Sequence, residues 1–361
     1  MRLIVWVILR RGIVTAVSTR PRSLMFSLAE LTAATELVHS VMPPTPQYAW
    51  PLLRRRLGIE TVVKHENHTP IGAFKIRGGL VFIDRLLRRR REVRGVVAAT
   101  RGNHGQSVAF AATRAGLEAK IVVPLGNARE KNAAMRAWGA ELIEAGEDFD
   151  QARARLPELA ERYGYEIVPS FHPDLVTGVA SYAYEWLTAD RRLDVIFVPI
   201  GLGSGICGLI RTRDLLGLDT QIVGVVSQQA NAYARSYAAG KVIPTLSADT
   251  FADGIATREP DSTALAMIRD GACDVVEVSE VEIADAIRVL HEDTHNLAEG
   301  AGAAALAGLI GQRQRWLGKR CGIVLCGGNL DRDWAAEVLG GGVPEPRRSR
   351  PIEQHWQADG D

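Results

Sequence analysis

The chain has 361 residues, 47% of them hydrophobic, with 43 Lys and Arg against 42 Asp and Glu. That length is enough for roughly two domains, and the near-zero charge balance excludes a general affinity for nucleic acid or an anionic membrane. Four cysteines, Cys207, Cys273, Cys321 and Cys326, form no C-x-x-C pair and fit a reducing cytoplasm rather than a disulfide scaffold.

In chain order, the first feature is "LIVWVIL", which Arg10 and Arg11 cut off. It is too short to span a bilayer, and the charge breaks it as a signal peptide. Globular patterning begins near "MFSLAELTAATELV", so Met25 is the expected start. Residues 1–24 are read as a disordered or non-native extension, with a cleaved signal peptide as the alternative. Next comes "TPIGAFKIRGG" (69–79), with Phe74 and Lys75 in a Gly-rich, mostly apolar segment. A lysine in dry surroundings becomes a usable nucleophile; the alternative is a surface lysine opening a helix. The basic run "RRRREVR" (88–94) follows an apolar stretch and reads as the solvated end of a helix, or else as an anion patch.

From about residue 95, strand and helix patterns alternate. "GVVAAT", "AKIVVP" and "AELIEAG" are strands; "HGQSVAFAATRAG", "REKNAAMRAWG" and "DFDQARARLPELAERYG" are the helices after them. The pattern resumes with helix "VTGVASYAYEWLTAD", strand "DVIFVPI", helix "ICGLIRTRDLLG", strand "QIVGVVS", helix "EVEIADAIRVLHEDTHN" and strand "GIVLCGGN". Continuous apolar strands alternating with helices predict an α/β fold of doubly wound parallel sheets.

In such folds ligands sit at the carboxyl ends of strands. "DVIFVPI" runs into Gly201, Leu202, Gly203, Ser204 and Gly205 and then a helix, which suits a phosphate cradle. A dinucleotide fingerprint would need glycine at Ile206, so a single phosphate fits better; a ligand-free tight turn is the alternative. "GVVAAT" runs into "TRGNHGQS", where Asn103 is either a ligand or simply a helix cap. "GIVLCGGN" ends at Cys326, a small hydrophobe by default. "HEDTH" (291–295) matches H-E-x-x-H, but the metzincin extension would need Gly at Ala298 and His at Ala301, so no metal is expected. "HENH" (65–68) is read as a loop.

Taken together, "TPIGAFKIRG", "RGNHGQS", "GLGSG" and "CGGN", in that order, resemble the fold-type II pyridoxal-phosphate (PLP) enzymes of the serine/threonine dehydratase group. "ADGIA" (252–256) and "AEGAG" (298–302) match supporting positions, and the resemblance spans about residues 27–340. It implies the tryptophan synthase β-like fold, with 25–66 and 171–342 as the larger PLP-binding domain, 67–170 as the smaller one and 343–361 as a disordered tail. It implies Lys75 as the residue that carries PLP and removes the α-proton, Phe74 against the cofactor ring, Asn103 on the ring hydroxyl, residues 201–205 on the phosphate and Cys326 on the pyridine nitrogen. Thr100, Arg101, Gly102, His104 and Glu299 would face the substrate.

The implied reaction is β-elimination from threonine, serine or a related 3-hydroxy amino acid, giving a 2-oxo acid and ammonia in a cytoplasmic homodimer. A thiol at Cys326 is a weak donor and acceptor, which suits elimination better than transamination. Arg101 stands where racemases of this group keep a proton-exchanging serine. A guanidinium cannot exchange that proton but can pair with a carboxylate, so 3-hydroxyaspartate is an alternative substrate. Two readings compete with elimination: racemization, and a binding module without catalysis. The family's Gly-Gln-Gly-Thr reads "GVAS" (178–181) here.

Overall fold

Continuous apolar runs become the buried strands. The computed structural model describes residues 25–346; the expectations for 1–24 and for the tail beyond 346 lie outside them. Ten strands alternate with helices: β1 Gln47–Ala49, β2 Glu60–His65, β3 Gly95–Ala99, β4 Glu118–Val123, β5 Glu141–Glu144, β6 Glu166–Ile167, β7 Val195–Pro199, β8 Gln221–Ser227, β9 Asp274–Val278 and β10 Arg320–Leu325. They form a six-stranded sheet, ordered β1-β2-β10-β7-β8-β9, and a four-stranded sheet, ordered β5-β4-β3-β6. All pairings are parallel except that of β1 with β2. β3 and β7 are buried along their whole length, as strands covered on both faces must be.

The helices are α1 Leu28–His39, α2 Pro51–Leu57, α3 Lys75–Arg89, α4 Asn103–Arg114, α5 Arg129–Ala137, α6 Phe149–Ala154, α7 Leu156–Tyr163, α8 Pro173–Ala189, α9 Ser204–Leu215, α10 Ala232–Ala239, α11 Ser262–Gly271, α12 Glu280–Thr294, α13 Gly300–Gly311 and α14 Arg332–Leu339. The single helix expected over 148–164 is two, α6 and α7. Pro157 has no N–H to give back to the preceding turn, so the helix breaks at Arg155. The helix expected to carry both histidines of "HEDTH" stops at Thr294. His295 takes a left-handed cap conformation (φ 55°), so the two histidines do not share a helical face. α13 went unassigned because it is buried on all sides and so has no amphipathic period.

One glycine of the apolar segment around Lys75 and one on α8 have a packing reason. A side chain at Gly79 would come within 2.3 Å of Ser107 on α4. One at Gly178 on α8 would come within 2.3 Å of the Arg77 carbonyl. Their absence lets α4 and α8 touch the backbone of α3. The "GVAS" stretch is therefore a helix contact: Ser181 accepts from Arg77 Nη1 at 2.9 Å. The tail is not free from 343 onward, since Val343 packs on the core and Pro344 is buried. Among the described residues, no helix is long and apolar enough to cross a membrane.

Candidate active site

The carboxyl ends of β2, β3, β7 and β10 converge on one cleft. After β2 the chain turns through 66–74, pinned at both ends. Thr69 Oγ1 and Ala73 exchange two 2.9 Å hydrogen bonds. Phe74 N donates to the Cys326 carbonyl at 3.0 Å, and Gly328 N to the Gly72 carbonyl at 2.9 Å. These bonds set Lys75, the first residue of α3, beside Cys326, the first residue after β10. The Ser107 hydroxyl donates to the Lys75 carbonyl at 2.6 Å and holds that turn against α4.

The cleft holds a cavity of about 320 Å³, lined by Phe74, Lys75, Thr100, Arg101, Gly102, Asn103, His104, Leu202, Glu299 and Cys326 among others. A second hollow opens beside it, lined by Gly201, Leu202, Gly203, Ser204 and Gly205 together with Phe74, Lys75 and Cys326. Every site residue singled out in the sequence thus lines one hollow or the other. Lys75 is half-buried, with its Nζ 5.1 Å from the centre of the Phe74 ring. Burial pulls its amine down to about 8, against the opposing influence of Cys326 and Glu299. Burial pushes the Cys326 thiol well above its ordinary value, with Glu299 adding to the effect, so the sulfur keeps its proton.

Two helix N-termini face the cleft. At α9, Gly203 takes a left-handed conformation (φ 102°) before Ser204 and Gly205 open the helix. A side chain at Gly201 would meet the Gly254 carbonyl at 2.4 Å. At α4, Thr100 Oγ1 accepts from the N–H groups of Gly102 (2.9 Å) and Gly105 (3.2 Å). The first N–H groups of a helix have no partner within it, so both openings suit anions. His104 sits in the first turn of α4, buried, with Nε2 unpartnered. Burial, aided by the charge of Lys75, holds its ring near 3, so it is neutral.

Several other residues of the cleft carry no signal in the sequence. Lys131 of α5 is buried in the same cavity, 3.0 Å from Asp253 and 3.7 Å from Glu299. Along the chain it looks like any lysine on an amphipathic helix. At the rim Arg258 donates from Nε to Asp150 at 2.7 Å, joining the 246–259 segment to α6. Arg153 stands 3.2 Å from the same carboxylate. Arg101, also on the cavity wall, makes no ion pair among the described residues.

Comparison with known proteins agrees with this geometry. The family model described as "Pyridoxal-phosphate dependent enzyme" matches residues 39–327. A biosynthetic L-threonine dehydratase of Pasteurella multocida is 35% identical over 273 residues, 75% of this chain and 53% of that protein. An L-threo-3-hydroxyaspartate ammonia-lyase of Saccharomyces cerevisiae is 29% identical over 309 residues, 85% of this chain and 94% of that protein. The processed form of threonine deaminase isoform 2 from Solanum lycopersicum superposes with a TM-score of 0.81 at 28% identity, covering 87% of this chain and 91% of that one. The chain spans about half the length of the biosynthetic dehydratase.

The cleft fits the cofactor on its own terms. It offers a half-buried amine with a depressed pKa, an aromatic ring beside that amine, and a glycine-lined helix N-terminus suited to an anion. With a family model matching most of its length and a cleft built this way, the chain belongs to the family of pyridoxal-phosphate dependent enzymes.

Proposed function

We propose that the protein is a dehydratase and ammonia-lyase that eliminates the β-hydroxyl of threonine, serine or a related 3-hydroxy amino acid to give a 2-oxo acid and ammonia. One juxtaposition supports this most: the Lys75 amine, the protonated Cys326 thiol and the opening turn of α9 line the same cleft. Bound there, PLP would supply an electron-withdrawing system that weakens the bond between the substrate's α-carbon and its hydrogen.

The residues divide the work by position. Gly201, Leu202, Gly203, Ser204 and Gly205 would hold the phosphate at the α9 N-terminus, and Phe74 would lie against the ring. Asn103 would donate to the ring oxygen. The Asn103 and His104 N–H groups, with Thr100 and Gly102 shaping the turn, would take the substrate's α-carboxylate at the α4 N-terminus. Lys75 Nζ, neutral over the pH range above about 8, would take the α-proton. Cys326 Sγ, neutral and a weak donor, would leave the ring nitrogen without a counter-charge, which favours prompt departure of the β-substituent over a long-lived carbanion.

On the same reading, 25–66 with 171–342 form the cofactor-holding domain and 67–170 the smaller one. The free cysteines among the described residues are consistent with a reducing cytoplasm. A homodimer is the assembly we expect.

One observation favours a second, narrower reading. Lys131, Arg153 and Arg258 on the cavity wall are each matched by Asp253 or Asp150, but Arg101 is matched by no carboxylate among the described residues. A substrate bearing a second carboxylate, such as 3-hydroxyaspartate, would supply the match.

A panel of 3-hydroxy amino acids assayed for 2-oxo-acid release, run beside borohydride reduction and peptide mapping, tests both readings. We expect the cofactor to be fixed on the peptide holding Lys75 and a 2-oxo acid to be released. Arg101→Ala should lower kcat/KM for 3-hydroxyaspartate by roughly one to two decades more than for threonine if the acidic substrate is native. Label on another lysine, or a D-amino acid as the main product, sinks the assignment.

A further inference from the structure

A directional chain of hydrogen bonds runs behind Asn103. Asn329 Nδ2 donates to the Ile71 carbonyl and to Asn103 Oδ1, both at 2.8 Å. Asn103 Nδ2 then donates to Glu299 Oε1 at 2.5 Å. Both ends of the chain are acceptors, a peptide carbonyl and a carboxylate. Turning the Asn103 amide over would set its oxygen against Glu299 and its NH₂ against the NH₂ of Asn329, making two repulsions out of two hydrogen bonds. The amide nitrogen carries two hydrogens and Glu299 takes one. Asn103 lines the cavity, so what it has left to offer there is a donor.

An ionised Glu299 can only accept, so it enforces this direction, whereas a protonated one carries a donor as well and enforces neither. Glu299 is 3% exposed, and burial raises its pKa. The opposing influences are first the Lys131 charge and then the Asn103 hydrogen bond, while Asp253 pushes the same way as burial. Lys131, 7% exposed, faces two carboxylates at once. Its stem runs where a side chain at Gly102 would stand, 2.6 Å from Lys131 Cδ. Gly102 therefore has a second duty besides opening α4: it leaves the channel through which Lys131 reaches Glu299.

We propose that Lys131 is a positioning residue that keeps Glu299 ionised and so fixes which end of the Asn103 amide faces the cofactor's ring oxygen. This rests on the proposed function, in which Asn103 meets that oxygen. Remove the Lys131 charge and Glu299 takes up a proton, becomes a donor, and permits the flipped amide. The ring oxygen then loses its donor and keeps its own proton.

The test uses PLP-loaded protein and reads its absorption spectrum and cofactor affinity, with borohydride labelling of Lys75 to establish separately that the cofactor is bound there. In Lys131→Met the visible band should give way to a near-ultraviolet one, and cofactor affinity should fall about tenfold. Lys131→Arg should keep the parent spectrum. Lys131→Met combined with Glu299→Gln should add little to Lys131→Met alone, because a neutral amide, like a protonated carboxyl, can either accept from Asn103 or donate to it. A parent-like spectrum in Lys131→Met, with Lys75 labelled, overturns the proposal. So does a double variant whose loss is the sum of the two single losses, which would make Lys131 a packing residue acting independently of Glu299. If Lys131→Met does not fold, Glu299→Gln replaces it: it removes the charge that Lys131 holds in place and should lose the visible band in the same way, and a parent-like spectrum refutes the idea. Absence of label on Lys75 in the parent protein would instead bring down the cofactor reading, and this proposal with it.

Discussion

Arg77, two residues after Lys75, is fully buried between two buried carboxylates. It donates to Glu66 through Nε at 2.7 Å and Nη2 at 3.0 Å, and to Glu185 through Nη1 at 2.6 Å and Nη2 at 3.0 Å. Lys64 adds a 2.8 Å bond to Glu185. Arg77→Met keeps most of the stem and removes the charge. Glu185 retains Lys64, but Glu66 is left with the Thr45 hydroxyl as its side-chain partner among the described residues. Breaking one side of a buried ion pair costs about 3–5 kcal/mol. With an unfolding entropy of roughly 2.1 cal/mol/K per residue, that lowers Tm by about 4 to 7 °C.

The pH dependence has a definite sign. Burial raises the Glu185 carboxyl, but the charge and hydrogen bonds of Arg77, then Lys64, outweigh it and hold the group at about 2. A depressed carboxyl contributes stability that is complete above its ordinary 4.5 and is lost as pH falls through about 2. In the variant Glu185 has lost its Arg77 partner and takes up a proton at higher pH than in the parent. The gap between parent and variant should therefore be widest above 4.5 and narrow as pH falls from there toward about 2. Thermal melts of both proteins across this range, without added cofactor, measure it. A Tm shift under about 1 °C at neutral pH, or a gap that widens in acid, would refute the reasoning.

Three further expectations concern the cleft itself. In cofactor-free protein the rate of PLP capture should rise as pH passes about 8 and then level, because the Lys75 amine is already neutral above that point; a rate still climbing toward 10.5, the ordinary lysine value, argues against a desolvated amine. Gly205→Asp should leave the fold intact, since a Cβ there meets nothing closer than the Phe74 ring at 3.7 Å, yet cofactor affinity should collapse because a carboxylate now faces the anion cradle. Undiminished affinity in a titration would exclude this loop as the phosphate site. Cys326→Ser should keep most elimination activity, a hydroxyl being as neutral as the buried thiol; steady-state kinetics showing abolished turnover with cofactor retained would mean that the sulfur has chemistry of its own.

The alternation of apolar strands with helices, the glycines of 201–205, and the succession of Lys75, Asn103 and Cys326 at strand ends were all legible along the chain. They follow from local rules: strand and helix periods, the conformational freedom of glycine, and the convergence of parallel strand ends. Several elements lay outside that reading, among them β2, β9, α10, α11 and α13. α13 is buried on every side, and the break at Arg155 depended on one proline.

What only the tertiary structure decided are the pairings between distant segments. Nothing near Lys131 in the chain reveals that it reaches Glu299 and Asp253. Nor does anything near Arg77 reveal that it is clamped between Glu66 and Glu185, or near Arg101 that its neighbours on the cavity wall are matched while it is not. A charged side chain looks the same in a sequence whether it is solvated or buried. Its state depends on which other charges the fold brings within a few ångströms, and those come from elsewhere in the chain.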